Sequence, residues 1–184
     1  RCFLRFAVVA FFFLFLQSCD EEPAPKGKYE SGTIIVNEGG FGSANGTLTY
    51  FDVTTGSVEQ NIFRNEGGAF AGDVVQSVNF SGGRGYVVIN GDNKVEIVNS
   101  HTLERLETIE SSDLDKPRYV EVIGDKAYIS VWGPYEDGGY ALINSYVLVV
   151  DLTNNTVIKK IETDEGTENL LFGGTYLFAS NHNF

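Results

Sequence analysis

The stretch YVVINGDNKVEIVNSHTLER (residues 86–105) contains two short apolar runs, each followed by turn-forming residues. The first run, YVVIN, has counterparts of the same pattern elsewhere in the chain: TIIVN (33–37), YISVW (128–132) and YLFAS (176–180). Short runs that are rich in β-branched and aromatic residues and bounded by turn signals predict β-strands. One type of strand therefore recurs along the chain at intervals of 42 to 53 residues.

The second run recurs together with its turn. The copies are LTYFDVTTGSV (48–58), VEIVNSHTLER (95–105) and VLVVDLTNNTV (147–157). Each copy places Asp or Asn after an apolar strand, at Asp52, Asn99 and Asp151. We expect these side chains to open a turn by hydrogen bonding to the backbone two residues further on.

A third set of runs precedes the later copies of the first: DVVQSV (73–78), PRYVEV (117–122) and TENLLF (167–172). A period of roughly 40 to 50 residues with four short strands in each unit is typical of a β-propeller. The alternative is an antiparallel sandwich whose strands resemble one another by chance. It does not explain why three different sets of runs recur with similar spacing. We therefore predict an all-β fold, a β-propeller of four-stranded blades.

The YVVIN and YISVW strands, followed by an Asp-ended strand and then TVIKKI (156–161), resemble the YVTN-repeat propellers, which include YncE-like and surface-layer proteins. The resemblance implies blades whose first to fourth strands run outward from the ring axis. The first unit begins at a second strand, and the chain ends inside a fourth unit. Because a seven-bladed ring needs about 350 residues, we expect residues 33–184 to form about half of one, as an open arc of roughly three and a half blades.

Residues 1–18 predict a secretory signal peptide, because two arginines precede an apolar run (6–16) that is too short to span a membrane. The alternative is a buried helix or strand, but a run without a polar face suits few positions in a domain. LQSC (16–19) resembles a bacterial lipobox, which implies lipidation of Cys19, and the DEE after it resembles the surface-export tag of Bacteroidota lipoproteins. We interpret residues 19–32 as the lipidated cysteine and a flexible tether. This predicts an outer-membrane lipoprotein at the cell surface, or otherwise facing the periplasm.

The formal net charge of −12 excludes several classes of partner. An acidic domain repels phosphate backbones and anionic lipid, so we expect no nucleic acid and no membrane contact beyond the lipid anchor. The two cysteines, Cys2 and Cys19, lie near the N-terminus, so the globular part has no disulfide framework. His101 and His182 are far apart in sequence, which argues against a zinc site. The acidic clusters are better interpreted as a solvated rim than as a calcium site.

The strand order assigns the loops to two faces of the ring. Loops that leave a second strand or enter a first strand share one face, here named the loop face, and they are the longer ones, as in WGPYEDGGYALINS (132–145). Binding residues concentrate on long loops of a rigid scaffold, and aromatic rings beside amides suit flat or polyhydroxylated ligands. The candidate ligand-binding residues are Asn37, Glu38, Phe41, Phe70, Asn90, Asn93, Arg118, Trp132, Tyr135 and Asn181. The alternative for Phe41 and Phe70 is packing between blades, and for Trp132 it is core packing at the end of its strand. The alternative for Arg118 is an ion pair with Asp115.

The sequence contains no G-x-S-x-G elbow, no H-E-x-x-H and no P-loop, so we expect no enzyme activity, no cofactor and no metal. VNEGGFGSANGTLTYFD (36–52) and AGDVVQSV (71–78) resemble the Bacteroidota surface lipoproteins that capture cobalamin for a TonB-dependent transporter. The resemblance implies capture of a small-molecule nutrient, such as a corrinoid, and its delivery to an outer-membrane transporter. Two alternatives are an adhesion or protein-interaction propeller of the surface-layer type and a quinoprotein-like propeller enzyme.

Overall fold

The computed structural model describes residues 27–67 and 71–182, with the side chains of residues 65–67 excepted. The predicted signal peptide, Cys19, most of the predicted tether and Phe70 lie outside the described residues. In the part of the chain that is described, no helix has the length and apolar character needed to cross a membrane.

The strands of the described residues form four antiparallel sheets, and in each sheet they lie in chain order. The first sheet contains β1 (Thr33–Asn37), β2 (Thr47–Phe51) and β3 (Val58–Gln60), and the short helix α1 (Ile62–Gly67) follows it. The second contains β4 (Val75–Ser81), β5 (Arg84–Ile89), β6 (Lys94–Asn99) and β7 (Arg105–Glu110). The third contains β8 (Pro117–Ile123), β9 (Lys126–Val131), β10 (Tyr146–Asp151) and β11 (Thr156–Glu162). The fourth contains β12 (Thr167–Phe172) and β13 (Leu177–Asn181).

The arrangement of the sheets is that of a partial β-propeller, as the repeats predict. The first strands of successive blades lie side by side, since β4 packs beside β8 and β8 beside β12. The second and third sheets are complete four-stranded blades. Within the described residues, the first sheet starts at the second strand position, and the fourth sheet holds only a first and a second strand.

The apolar core lies between neighbouring blades rather than within one blade. Side chains alternate between the two faces of a strand, so Val87 and Ile89 of β5 join one buried cluster with the first blade, while Tyr86 and Val88 join another with the third. Both faces of the second blade are thus covered. A residue in the middle of this blade is buried whichever way its side chain points.

The predicted turns after the third strands are confirmed. Oδ1 of Asp52 accepts hydrogen bonds from the backbone N–H of Thr54 at 2.8 Å and of Thr55 at 3.1 Å. Asn99 and Asp151 make the equivalent bond to the N–H two residues on, each at 2.8 Å. The bonds from Thr55 and Thr54 lower the pKa of Asp52, since they stabilise its ionised form. These turns lie on the face of the ring that is opposite the loop face.

We predict that replacing Tyr146 with phenylalanine changes how stability depends on pH. The Tyr146 hydroxyl donates to the Asp113 carbonyl at 2.8 Å, and burial with the nearby Asp115 and Asp113 carboxylates raises its pKa to about 12. An unfolded tyrosine ionises at about pH 10. The folded protein therefore holds a proton that the unfolded chain has lost, so Tyr146 makes the free energy of unfolding fall as the pH rises from about 10 to about 12.

Urea unfolding of the wild type and Tyr146→Phe at several pH values checks this prediction. Below pH 10 the variant should be less stable by about 1 kcal/mol, because it lacks one hydrogen bond. Between pH 10 and 12 the difference should shrink, since phenylalanine does not titrate. A difference that stays constant over this range contradicts the prediction.

Candidate ligand-binding site on the loop face

A cleft of about 610 Å³ opens on the loop face, where the second strands end and the first strands begin. Seven of the ten candidate residues from the sequence line it: Glu38, Phe41, Asn90, Asn93, Arg118, Trp132 and Tyr135. The structure adds polar and charged side chains that sequence analysis missed: Gln76, Asp115 and Lys116. Three aromatic rings and several amide and charged groups therefore face one cavity.

The floor of the cleft is built from the second residue of each first strand. These residues are Gln76 of β4, Arg118 of β8 and Glu168 of β12. Gln76 and Arg118 line the cleft, and Glu168 supports them through its bonds to Arg118. Arg118 pairs with the Glu168 carboxylate through Nε, at 3.0 and 3.2 Å, and through Nη2, at 2.7 Å. Its Nη1 donates to Oε1 of Gln76. Side chains from three consecutive blades are thus joined by hydrogen bonds. Arg118 pairs with Glu168 rather than with Asp115, the partner that the sequence left open as an alternative.

Trp132 is held against this floor. The guanidinium carbon of Arg118 lies 3.8 Å from the centre of the Trp132 ring, and the indole N–H donates to Oε2 of Glu168 at 2.8 Å. A cation over an aromatic face and a hydrogen bond at its edge fix both the position and the tilt of the ring. Trp132 is half-buried and forms one wall of the cleft.

The two amides beside the floor have defined orientations. Nδ2 of Asn90 donates to the Pro117 carbonyl at 3.1 Å, and Oδ1 of Asn93 accepts from the backbone N–H of Lys116 at 2.8 Å. Each bond joins a loop that leaves a second strand to the beginning of β8. The amides therefore hold the loops of two blades together at the cleft.

Lys116 secures the long loop 132–145 to the same place. Its Nζ donates to Asp115 at 2.6 Å and to the Gly133 carbonyl at 3.0 Å, and it lies 4.9 Å from the centre of the Tyr135 ring. The backbone N–H of Gly133 donates to the Asp115 carbonyl at 3.0 Å. These contacts position Tyr135, which is 40% exposed, at the edge of the cleft.

Phe41 lies on the β1–β2 loop, and the carboxylate of Asp73 fastens this loop to the second blade. Asp73 accepts hydrogen bonds from the backbone N–H of Gly42 at 2.9 Å and of Ala44 at 3.4 Å. The Phe41 ring itself is 88% exposed. A large apolar side chain on an anchored loop is available to a ligand without a large cost in loop ordering.

We predict that Asp73→Ala loosens the loop that carries Phe41 without unfolding the blades. Two hydrogen bonds to backbone N–H groups are lost, each worth about 1 kcal/mol, so amide hydrogen exchange over residues 40–46 should accelerate by about tenfold or more. Hydrogen exchange with mass spectrometry measures this. Asp137→Ala, at an exposed position of the loop 132–145, is the matched control and should leave exchange over residues 40–46 unchanged. Equal protection in Asp73→Ala and the wild type would show that the loop is held by other contacts.

Two of the described candidate residues, Asn37 and Asn181, do not line the cleft. The amide of Asn37 donates to Oγ1 of Thr49 at 2.9 Å within the first sheet. Oδ1 of Asn181 accepts from Oγ1 of Thr167 at 3.3 Å within the fourth sheet. Phe70 lies outside the described residues. Among the described residues, no group of three or more His, Cys, Asp or Glu is placed to hold a metal ion.

Comparisons with known proteins fit a β-propeller family. A family model described as a domain of unknown function (DUF5074) matches residues 31–184. None of the curated proteins matches the chain. Among solved structures, hydrazine synthase of Kuenenia stuttgartiensis is similar, with a TM-score of 0.51 and 21% sequence identity over 67% of this chain and 33% of that one. The chain spans about a third of that structure's chain, and the likeness concerns the fold alone.

Proposed function

The chain belongs to the DUF5074 family, and we propose from the geometry of its cleft that it is a ligand-capture propeller rather than an enzyme. The observation that carries the proposal is the cleft of about 610 Å³, in which the rings of Phe41, Trp132 and Tyr135 surround oriented amides. A volume of this size fits a small molecule, and aromatic walls with a few fixed polar groups are typical of binding sites.

The finer proposal rests on sequence resemblance. The lipobox-like stretch that ends at Cys19 and the acidic residues after it support anchoring to the outer membrane, with the propeller at the cell surface. The resemblance of residues 36–52 and 71–78 to Bacteroidota surface lipoproteins that capture cobalamin supports cobalamin as the nutrient and a TonB-dependent transporter as the partner. Capture before transport needs binding without chemical change, which suits a cleft without a recognised catalytic motif.

Isothermal titration of the full chain in detergent with cyanocobalamin tests the capture of a corrinoid. We expect binding with one site per chain. Absence of binding overturns the cobalamin version of the proposal. Labelled palmitate tests the anchor separately: incorporation should occur in the wild type and be lost in Cys19→Ala, whereas equal labelling would refute lipidation at this residue.

A further inference from the structure

The hydrogen bonds at the floor of the cleft fix which atoms of Gln76 remain for a ligand. An arginine side chain has only donors, so the atom of Gln76 that bonds Nη1 of Arg118 must be the carbonyl oxygen. The NH₂ group of Gln76 therefore remains available to donate to a ligand. Gln76 lines the cleft and is half-buried, and the described residues provide no hydrogen-bond acceptor for its NH₂ group.

The orientation of the Asn93 amide is determined by the same reasoning. Its Oδ1 accepts from the backbone N–H of Lys116, which can only donate. Its NH₂ group therefore remains as well, at an exposed position in the lining of the cleft. Two amides of the second blade thus have their oxygens engaged by residues of the third blade and their donors unused.

The two cations of the cleft do not make it a site for anionic ligands, because each is paired with a carboxylate. The Glu168 carboxylate neutralises Arg118 at 2.7 Å, and Asp115 neutralises Lys116 at 2.6 Å. The chain as a whole carries a formal charge of −12, which repels anionic ligands. Arg118 still keeps N–H groups beyond those bonded to Glu168 and Gln76, since a guanidinium has five. The floor offers donors without net positive charge.

We propose, on the basis of the capture function above, that the cleft selects an uncharged flat ligand through its carbonyl oxygens, which accept from the NH₂ groups of Gln76 and Asn93. The aromatic rings bury the flat face of the ligand, and the two amides recognise its edge. Carbonyl groups of amides or imides fit this description. Phosphates do not, because they would place further negative charge beside Glu168.

Two isosteric substitutions test the assignment. Gln76→Glu and Asn93→Asp keep the oxygen that bonds Arg118 or Lys116 and replace the free NH₂ donor with a carboxylate oxygen. Asn154→Asp is the matched control, because Oδ1 of Asn154 accepts from the backbone N–H of Thr156 at 3.1 Å in a turn on the opposite face. Each protein is titrated with cyanocobalamin, which carries several carboxamides, and with riboflavin, maltoheptaose and pyrophosphate. Thermal unfolding checks that each variant is folded.

We expect cyanocobalamin or riboflavin to bind the wild type, and Gln76→Glu and Asn93→Asp each to weaken that binding by about tenfold or more, with Asn154→Asp unchanged. Binding of cyanocobalamin that neither cleft variant weakens keeps the capture function and overturns the donor assignment. Binding of riboflavin alone, weakened by both variants, keeps the assignment and overturns the cobalamin version. If only maltoheptaose or pyrophosphate binds, or if no probe binds, the proposed ligand class is wrong.

Discussion

Glu96→Ala is expected to lower the free energy of unfolding by about 3 kcal/mol. Glu96 is 2% exposed, between the first and second blades, and its carboxylate lies 3.0 Å from Nζ of Lys94 and 3.1 Å from Nε of Arg105. It also accepts a hydrogen bond from Oγ1 of Thr108 at 2.7 Å. Removing the carboxylate leaves two cations and a hydroxyl without their buried partner. Because Lys94 and Arg105 are 23% and 32% exposed, water can reach them, which places the loss at the lower end for a broken buried pair.

Urea unfolding measures this loss, and Glu162→Ala is its matched control. Glu162 is 66% exposed and lies 3.8 Å from Nζ of Lys160. A surface pair of this kind contributes about 0 to 1 kcal/mol. If the two variants lose the same stability, the buried position of Glu96 has no special role in holding the blades together.

The blades could be predicted from the sequence because their strands are local and repeat. Each apolar run quoted from 33–37 to 176–180 lies on a strand or overlaps one, with bounds shifted by up to three residues. The loop face follows from strand order alone, which is why seven candidate residues line one cleft. The burial of Glu96 could not be predicted from the repeats or from the strand order. In VEIVN (95–99) the alternation suggests an exposed glutamate, whereas a blade has a neighbour on both faces.

The floor of the cleft was missed because its contacts join residues that are far apart in the chain. Gln76, Arg118 and Glu168 come from three different blades, and each taken alone is an ordinary polar residue at the start of a strand. Alignment of the three first strands would have placed them at the same position, and a Gln, an Arg and a Glu at one level of a ring suggest hydrogen bonds across it. Of these three residues, only Arg118 was predicted to contact a ligand. The stacking of Arg118 on Trp132 depends on side-chain packing, which the repeat pattern does not contain.

Trp132→Ala is expected to weaken cyanocobalamin binding by about 100-fold or more, which corresponds to about 3 kcal/mol, a value typical of a central aromatic contact. The substitution removes one wall of the cleft. It also removes the ring that covers Arg118 at 3.8 Å and the N–H that bonds Glu168 at 2.8 Å, so the pair on the floor becomes more exposed to water. Isothermal titration gives the dissociation constant, and thermal unfolding shows that the blades remain folded.

Two further variants separate the contribution of the ring from a general effect on its loop. Trp132→Phe keeps an aromatic face over Arg118 but lacks the indole N–H that bonds Glu168 and holds the ring in position. Its loss of affinity should therefore be smaller than that of Trp132→Ala, about tenfold. Tyr140→Ala changes a side chain that is 90% exposed on the same loop and outside the lining of the cleft, and it should bind like the wild type. If Trp132→Ala also binds like the wild type, the ligand does not use this cleft. If Tyr140→Ala weakens binding as much as Trp132→Ala, the two substitutions act through the loop as a whole, and the wall formed by Trp132 has no special role in binding.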